Sequence, residues 1–170
     1  MRAFRGCPGF PTMRHMSDID AIPAIRIHGI REARTALRAA SSLRRPVVLA
    51  SAPSAGCHGG GAWFRALIAR ATAEFPETDA TAVLDCGDQP GAALAALRAG
   101  VADMALDGSP DLLARVGAIA LAVGARLHPP VENALDLRGC IDVDSACREW
   151  LMGTPENHPP GVAKPCVPGY

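Results

Sequence analysis

Val83-Leu-Asp-Cys-Gly-Asp-Gln-Pro-Gly-Ala-Ala-Leu-Ala-Ala-Leu-Arg-Ala-Gly-Val-Ala-Asp-Met-Ala-Leu-Asp-Gly-Ser-Pro110 is the stretch whose reading decides the fold. Its apolar start, up to Leu84, is a buried strand, and Asp85-Cys-Gly-Asp88 is the loop that ends it. Leu94, Leu97 and Val101 then recur near helical spacing, with Gly100 as the stop. Asp103–Leu106 is a second strand, after which Ser109 is placed to N-cap a helix that has Pro110 at its first position. Strand, helix, strand and helix, joined by short loops, require parallel strands and right-handed crossovers.

The same alternation extends in both directions. Upstream, Ala24–His28 is a strand, and Ile30, Ala33, Leu37 and Ala40 form a helical stripe opposite Arg31, Arg34 and Arg38. Val47–Ala50 is a near-continuous apolar strand of the buried parallel kind. A Gly-rich loop, residues 54–61, leads to a helix striped by Phe64, Leu67, Ile68, Ala71 and Phe75, which Pro76 closes. Downstream, Leu112, Leu113, Val116, Ile119, Ala120 and Val123 mark a further helix, and Ala125–Leu127 begins a strand that His128-Pro-Pro130 is expected to stop. Around this core, residues 1–21 are expected to be a loose lead-in and 131–152 a short helical segment with Trp150. The tail at 153–170, with five prolines, is expected to be disordered.

In such sheets ligands gather at the carboxyl ends of the strands. His28, Ser51, the 54–61 loop, Asp85, Cys86, Asp88 and Asp107 all follow strands and are expected to share one rim. Cys57, His58, Cys86 and His28 are the metal-ligand types on it, though rim position is only a permission. Gly59-Gly60-Gly61 before a helix could offer backbone N–H groups to an anion, but matches neither dinucleotide nor P-loop spacing. Cys86 reads more readily as a half-buried thiol than as a nucleophile, since no paired base is identifiable beyond His28 or His58. Asp88 and Asp107 are expected to act as loop caps. Asp85 is balanced between capping and acid–base work. His15, His128 and His158 are expected at the solvent surface.

The order and spacing of these motifs resemble the first half of a class II fructose-bisphosphate aldolase barrel. Asp85, Gly87, Ala99-Gly100, Met104 and Asp107-Gly108-Ser109 stand where that family reads LDHG, a helix, then AGFTSVMIDGS. Pro46-Val-Val-Leu-Ala-Ser-Ala-Pro-Ser-Ala-Gly56 is similar to its PVILQ-S-x-GA segment, and residues 22–47 resemble its opening strand and helix. The resemblance implies an α/β fold, a partial aldolase-type TIM barrel of about four parallel βα units. It implies that Asp85 is the proton-transferring residue, and that Cys86 stands in place of a zinc-binding His. It implies a ligand-binding set of Ser51, Gly59, Gly60, Asp107 and Ser109 for a small phosphorylated metabolite, and it puts His28 where the family often has an Asn near substrate. The family's Glu-bearing fifth strand, its two later zinc histidines and its GGSD-type phosphate loop have no counterpart here. The resemblance therefore implies a degenerate domain without aldolase activity that binds a sugar phosphate or a protein. The alternative is a lyase whose site a second chain completes. No cofactor is expected, zinc being the one these residue types admit.

Composition bounds the rest. The 170 residues suffice for one domain but not for a whole eight-unit barrel, which takes roughly 250. Hydrophobic residues at 49% and mean hydropathy of +0.13 describe a globular chain. Seventeen basic residues (all Arg but Lys164) balance seventeen acidic ones, which argues against nucleic acid as a partner. No apolar run is long enough to span a membrane, and the first residues lack the apolar core of an export signal, although Met13 and Met16 are alternative starts. The six cysteines, none in a CxxC pair, are then read as reduced thiols of a cytoplasmic protein, with a disulfide between tail cysteines left open. Half a barrel leaves two strand edges and one sheet face bare. A homodimer or another protein partner is the expected cover, with a flattened sheet or a folded-back 131–152 segment as alternatives.

Overall fold

The computed structural model describes residue 19 and residues 21–153. The lead-in and tail expected at the two ends lie almost wholly outside the described residues, as do His15 and His158.

The elements run β1 (Ala24–Ile27), α1 (Ile30–Leu43), β2 (Val47–Ser51), α2 (Ala55–His58), α3 (Gly60–Thr72), β3 (Ala80–Asp85), α4 (Pro90–Arg98), β4 (Asp103–Ala105), α5 (Pro110–Ala122), β5 (Arg126–His128), β6 (Ala134–Asp136) and α6 (Val143–Met152). The four expected βα units are all present, and the fold is α/β. One six-stranded sheet has the order β5-β4-β3-β2-β1-β6, with every pair parallel. β6 was not legible in the sequence, because Ala134-Leu-Asp136 is too short to show a period of two. It pairs with β1 on the side away from β2, the place that the last strand takes in a closed barrel.

The sheet has to be rolled. From His128 to Ala134 the chain takes six Cα steps, about 20 Å at full stretch. A flat sheet would hold its outermost strands about 24 Å apart, at roughly 4.8 Å per spacing. The connection must also return from the end of β5 to the start of β6, so the two edges have curled toward each other. Alternation along the strands then divides the side chains. Ile25, Ile27, Leu49, Leu135 and Leu137 face outward and pack with Leu37 and Ala40 of α1 and with Trp150 and Leu151 of α6. Leu84, Met104 and Leu106 face outward at the other end and meet Phe64 of α3, Ala93 and Ala96 of α4 and Val116 of α5.

Ala24, Val48, Val83, Ala105 and Ala134 face inward, and onto them pack Ile19, Ile22 and Val131. The concave face is thus covered from within the chain, by the segment before β1 and by the connection between β5 and β6. Val131 is the first residue of the 131–152 segment whose folding back was the alternative cover, and it reaches this face through the β5–β6 connection.

Candidate functional site

The rim loop after β3 is built around Asp85. Its Oδ1 accepts from the Gly87 amide at 2.8 Å and from the Ser54 amide at 2.9 Å, tying the β3–α4 loop to the β2–α2 loop. The Asp85 amide donates to Ser51 Oγ at 2.9 Å, and that hydroxyl in turn donates to Ala52 O at 3.0 Å. A carboxylate two residues ahead of the amide that it holds is the Asx-turn arrangement, which fixes the loop. Cys86 points the other way, into the outward cluster of Leu84, Met104 and Phe64. Its Sγ lies against the Gly56 backbone, where an added Cβ would come within 2.9 Å. Burial, then the neighbouring Asp85 charge and Cys57, push the Cys86 thiol up to about 12. It is a protonated thiol at neutral pH. Cys57 is exposed and donates from Sγ to Cys86 O at 3.4 Å.

Two polar clusters occupy the concave side. At one end, Asp103 on β4 stands opposite Arg126 on β5. Arg126 donates to both carboxylate oxygens, Nε at 2.6 Å and Nη2 at 2.8 Å, while His128 Nε2 bonds Oδ1 at 2.7 Å. Asp103 and His128 are both only 4% exposed. Burial alone would raise the Asp103 carboxyl, but the bonds from His128 and Arg126, and their charges, hold it below the usual carboxylate range. At the other end, Asp136 on β6 stands opposite Arg26 on β1. His28 Nε2 bonds Asp136 Oδ1 at 2.7 Å, and Arg138 Nη2 meets His28 Nδ1 at 2.9 Å. A guanidinium only donates, so Nδ1 is the acceptor and the ring proton sits on Nε2, donated to Asp136. Asp136 is also held low: burial opposes this, but the Arg138 amide, the His28 bond and the Arg26 charge outweigh it.

Residues 17–128, well over half of the chain, match the family model described as Fructose-bisphosphate aldolase class-II. The chain belongs to the class II fructose-bisphosphate aldolase family. A solved structure assigned as a fructose-1,6-biphosphate aldolase from Coccidioides immitis shares the fold, at a TM-score of 0.53 and 21% identity over 66% of this chain. The chain spans 46% of that structure, less than half its length. No curated protein matches.

Aldolases of this class imply zinc, and the residues present do not fit it. The Cys86 Sγ packs among apolar side chains on the outward face, away from Asp85. His28 is engaged on both ring nitrogens at the β1–β6 side, and His58 and Cys57 are exposed on α2. Among the described residues no group of three or more His, Cys, Asp or Glu is placed to hold a metal ion. The other rim residues have local tasks as well. Ser51 is buried under the Asp85 loop, and Ser109 caps α5 by accepting from the Leu112 amide at 3.4 Å. Gly59 and Gly60 sit at the α2–α3 junction. Asp107 is exposed and makes no cap, its amide donating to Gly87 O. Asp88 is no cap either: it accepts from the Gln89 side chain at 2.7 Å, and α4 starts on an uncapped Gln89.

His128, expected at the surface, is buried because Asp103 reaches up to it from the neighbouring strand. The sequence does hold a signal for this. Arg26-Ile-His28 and Arg126-Leu-His128 repeat one pattern, and alternate spacing puts each Arg and its His on the same face of a strand. In both, the His bonds an Asp of the adjacent strand.

Proposed function

We propose that this chain is a non-cleaving member of the class II aldolase family, a scaffold that binds a small phosphorylated metabolite at its exposed loop rim. The observation that carries the reading is the β3–α4 loop. The acid at the proton-transfer position, Asp85, spends Oδ1 on two backbone amides, and its neighbour at the zinc-ligand position is a thiol buried in the outward core. What is open to solvent on the same rim is Cys57, His58, Gly59, Asp88 and Asp107, with backbone amides rather than a catalytic pair to offer.

The test is direct. Purified full-length protein is assayed for cleavage of fructose 1,6-bisphosphate with added zinc, and its metal content is measured. The expected result is no cleavage and no stoichiometric zinc, with a rise in Tm when a sugar bisphosphate is added. Zinc-dependent cleavage that disappears in Asp85→Asn, with zinc lost in Cys86→Ala, would instead establish the lyase whose site a second chain completes.

A further inference from the structure

We infer that residues 129–133 form a strap across the concave face of the sheet, latched at each end by one of the two Asp–His clusters and able to lift without unfolding the strands beneath. The latches are the Asp103–Arg126–His128 cluster, whose His128 immediately precedes the strap, and the His28–Asp136–Arg138 cluster, whose Asp136 lies on the strand that follows it. Between them the strap is held by little. Arg26 donates from Nη2 to Val131 O, and Val131 is the strap's contribution to the inward apolar cluster. Pro129 and Pro130 carry no N–H donor and are exposed, as is Glu132.

The seating is also imperfect. Asn133 Oδ1 on the strap and Arg26 Nε beneath it are both buried without a hydrogen-bond partner among the described residues. An unsatisfied buried acceptor on the strap and an unsatisfied buried donor under it each lower the cost of lifting, because both regain water when the segment leaves. The floor, by contrast, needs nothing from the strap to remain in place. Val48 and Val83 belong to β2 and β3, which are paired on both edges and backed by the outward cores. Segments with few fastenings above a well-paired floor open as separate units. Lifting would take Val131 off the inward cluster of Ala24, Val48, Val83, Ala105 and Ala134, opening that side of the concavity while Ile19 and Ile22 stay on it.

Amide hydrogen exchange on the full chain, resolved by peptide, tests this. In the wild type, the peptide spanning 129–137 is expected to exchange faster than peptides of β2 and β3, and with weaker dependence on added denaturant. Arg26→Gln removes the one side-chain hydrogen bond to Val131 among the described residues and is expected to speed exchange in that peptide about tenfold or more, leaving β2 and β3 unchanged. Equal exchange of strap and strands with the same denaturant dependence would overturn the inference, as would an Arg26→Gln protein whose strap peptide does not change. If Arg26→Gln fails to fold, the denaturant dependence in the wild type decides alone.

Discussion

At the scale of single residues, Cys86 and Asp103 show how the environment sets chemistry that the residue type leaves open. Both cysteines on the rim are ligand and nucleophile types, yet only Cys57 reaches solvent. A maleimide reagent at pH 8 is therefore expected to modify Cys57 in the folded chain and to reach Cys86 only after unfolding, read by peptide mass; native labelling of Cys86 at the Cys57 rate would contradict its raised pKa. Asp103 has the opposite displacement. Its folded carboxyl titrates below the unfolded value of about 3.9, so its contribution is present in full above that pH. The contribution is lost as pH falls through the folded value. Asp103→Asn is expected to cost about 2–3 kcal/mol near pH 7, since it leaves His128 and Arg126 without their shared acceptor, and Arg126 is partly exposed. Urea unfolding at pH 7 and at pH 3 checks the sign: the gap between wild type and variant should narrow at the lower pH.

At the scale of elements, what was legible was whatever repeated. The helix stripes of α1, α3 and α5, the Ser109-Pro110 start and the four strand–helix alternations follow from apolar period and turn residues alone. What was not legible depended on contacts far apart in the chain. His128 looks like a loop histidine until Asp103 is placed beside it, and Ala134–Asp136 becomes a strand only because β1 has a free edge. Asp85 could not be settled from sequence either, because its partner amide at Ser54 lies 31 residues away. Helix packing leaves one further signature. Gly61 in α3 is buried against α4, and a Cβ there would stand 2.7 Å from the Ala96 Cα and 3.1 Å from the Ala99 Cβ. Since backbone, not a movable side chain, blocks the space, Gly61→Ala is expected to destabilise by about 1–3 kcal/mol in spite of its better helix propensity. A thermal melt with a Tm at or above the wild type would refute the close packing of α3 on α4.

At the scale of the molecule, the part that matches the family and the part that makes the fold stable are not the same. The match covers residues 17–128 and ends on β5. Yet α1 is sealed by what comes later: Leu135 of β6 and Leu137 just after it flank it, and Cys147, Trp150 and Leu151 of α6 pack on Leu37 and Ala40. Val131 and Asp136, which finish the concave face, also lie beyond the match. Each large apolar side chain withdrawn from water is worth about 1.5–3 kcal/mol, and native domains stand only about 5–15 kcal/mol above unfolding. Removing β6 and α6 takes away four such side chains and bares their partners on α1 and β1. A chain ending at residue 130 is therefore expected to lose its cooperative thermal transition and its near-UV circular dichroism, although every residue of the aldolase-family match is retained. A sharp transition in that fragment would mean that the βα units stand alone, and that β6 and α6 cover a face the remainder can leave exposed.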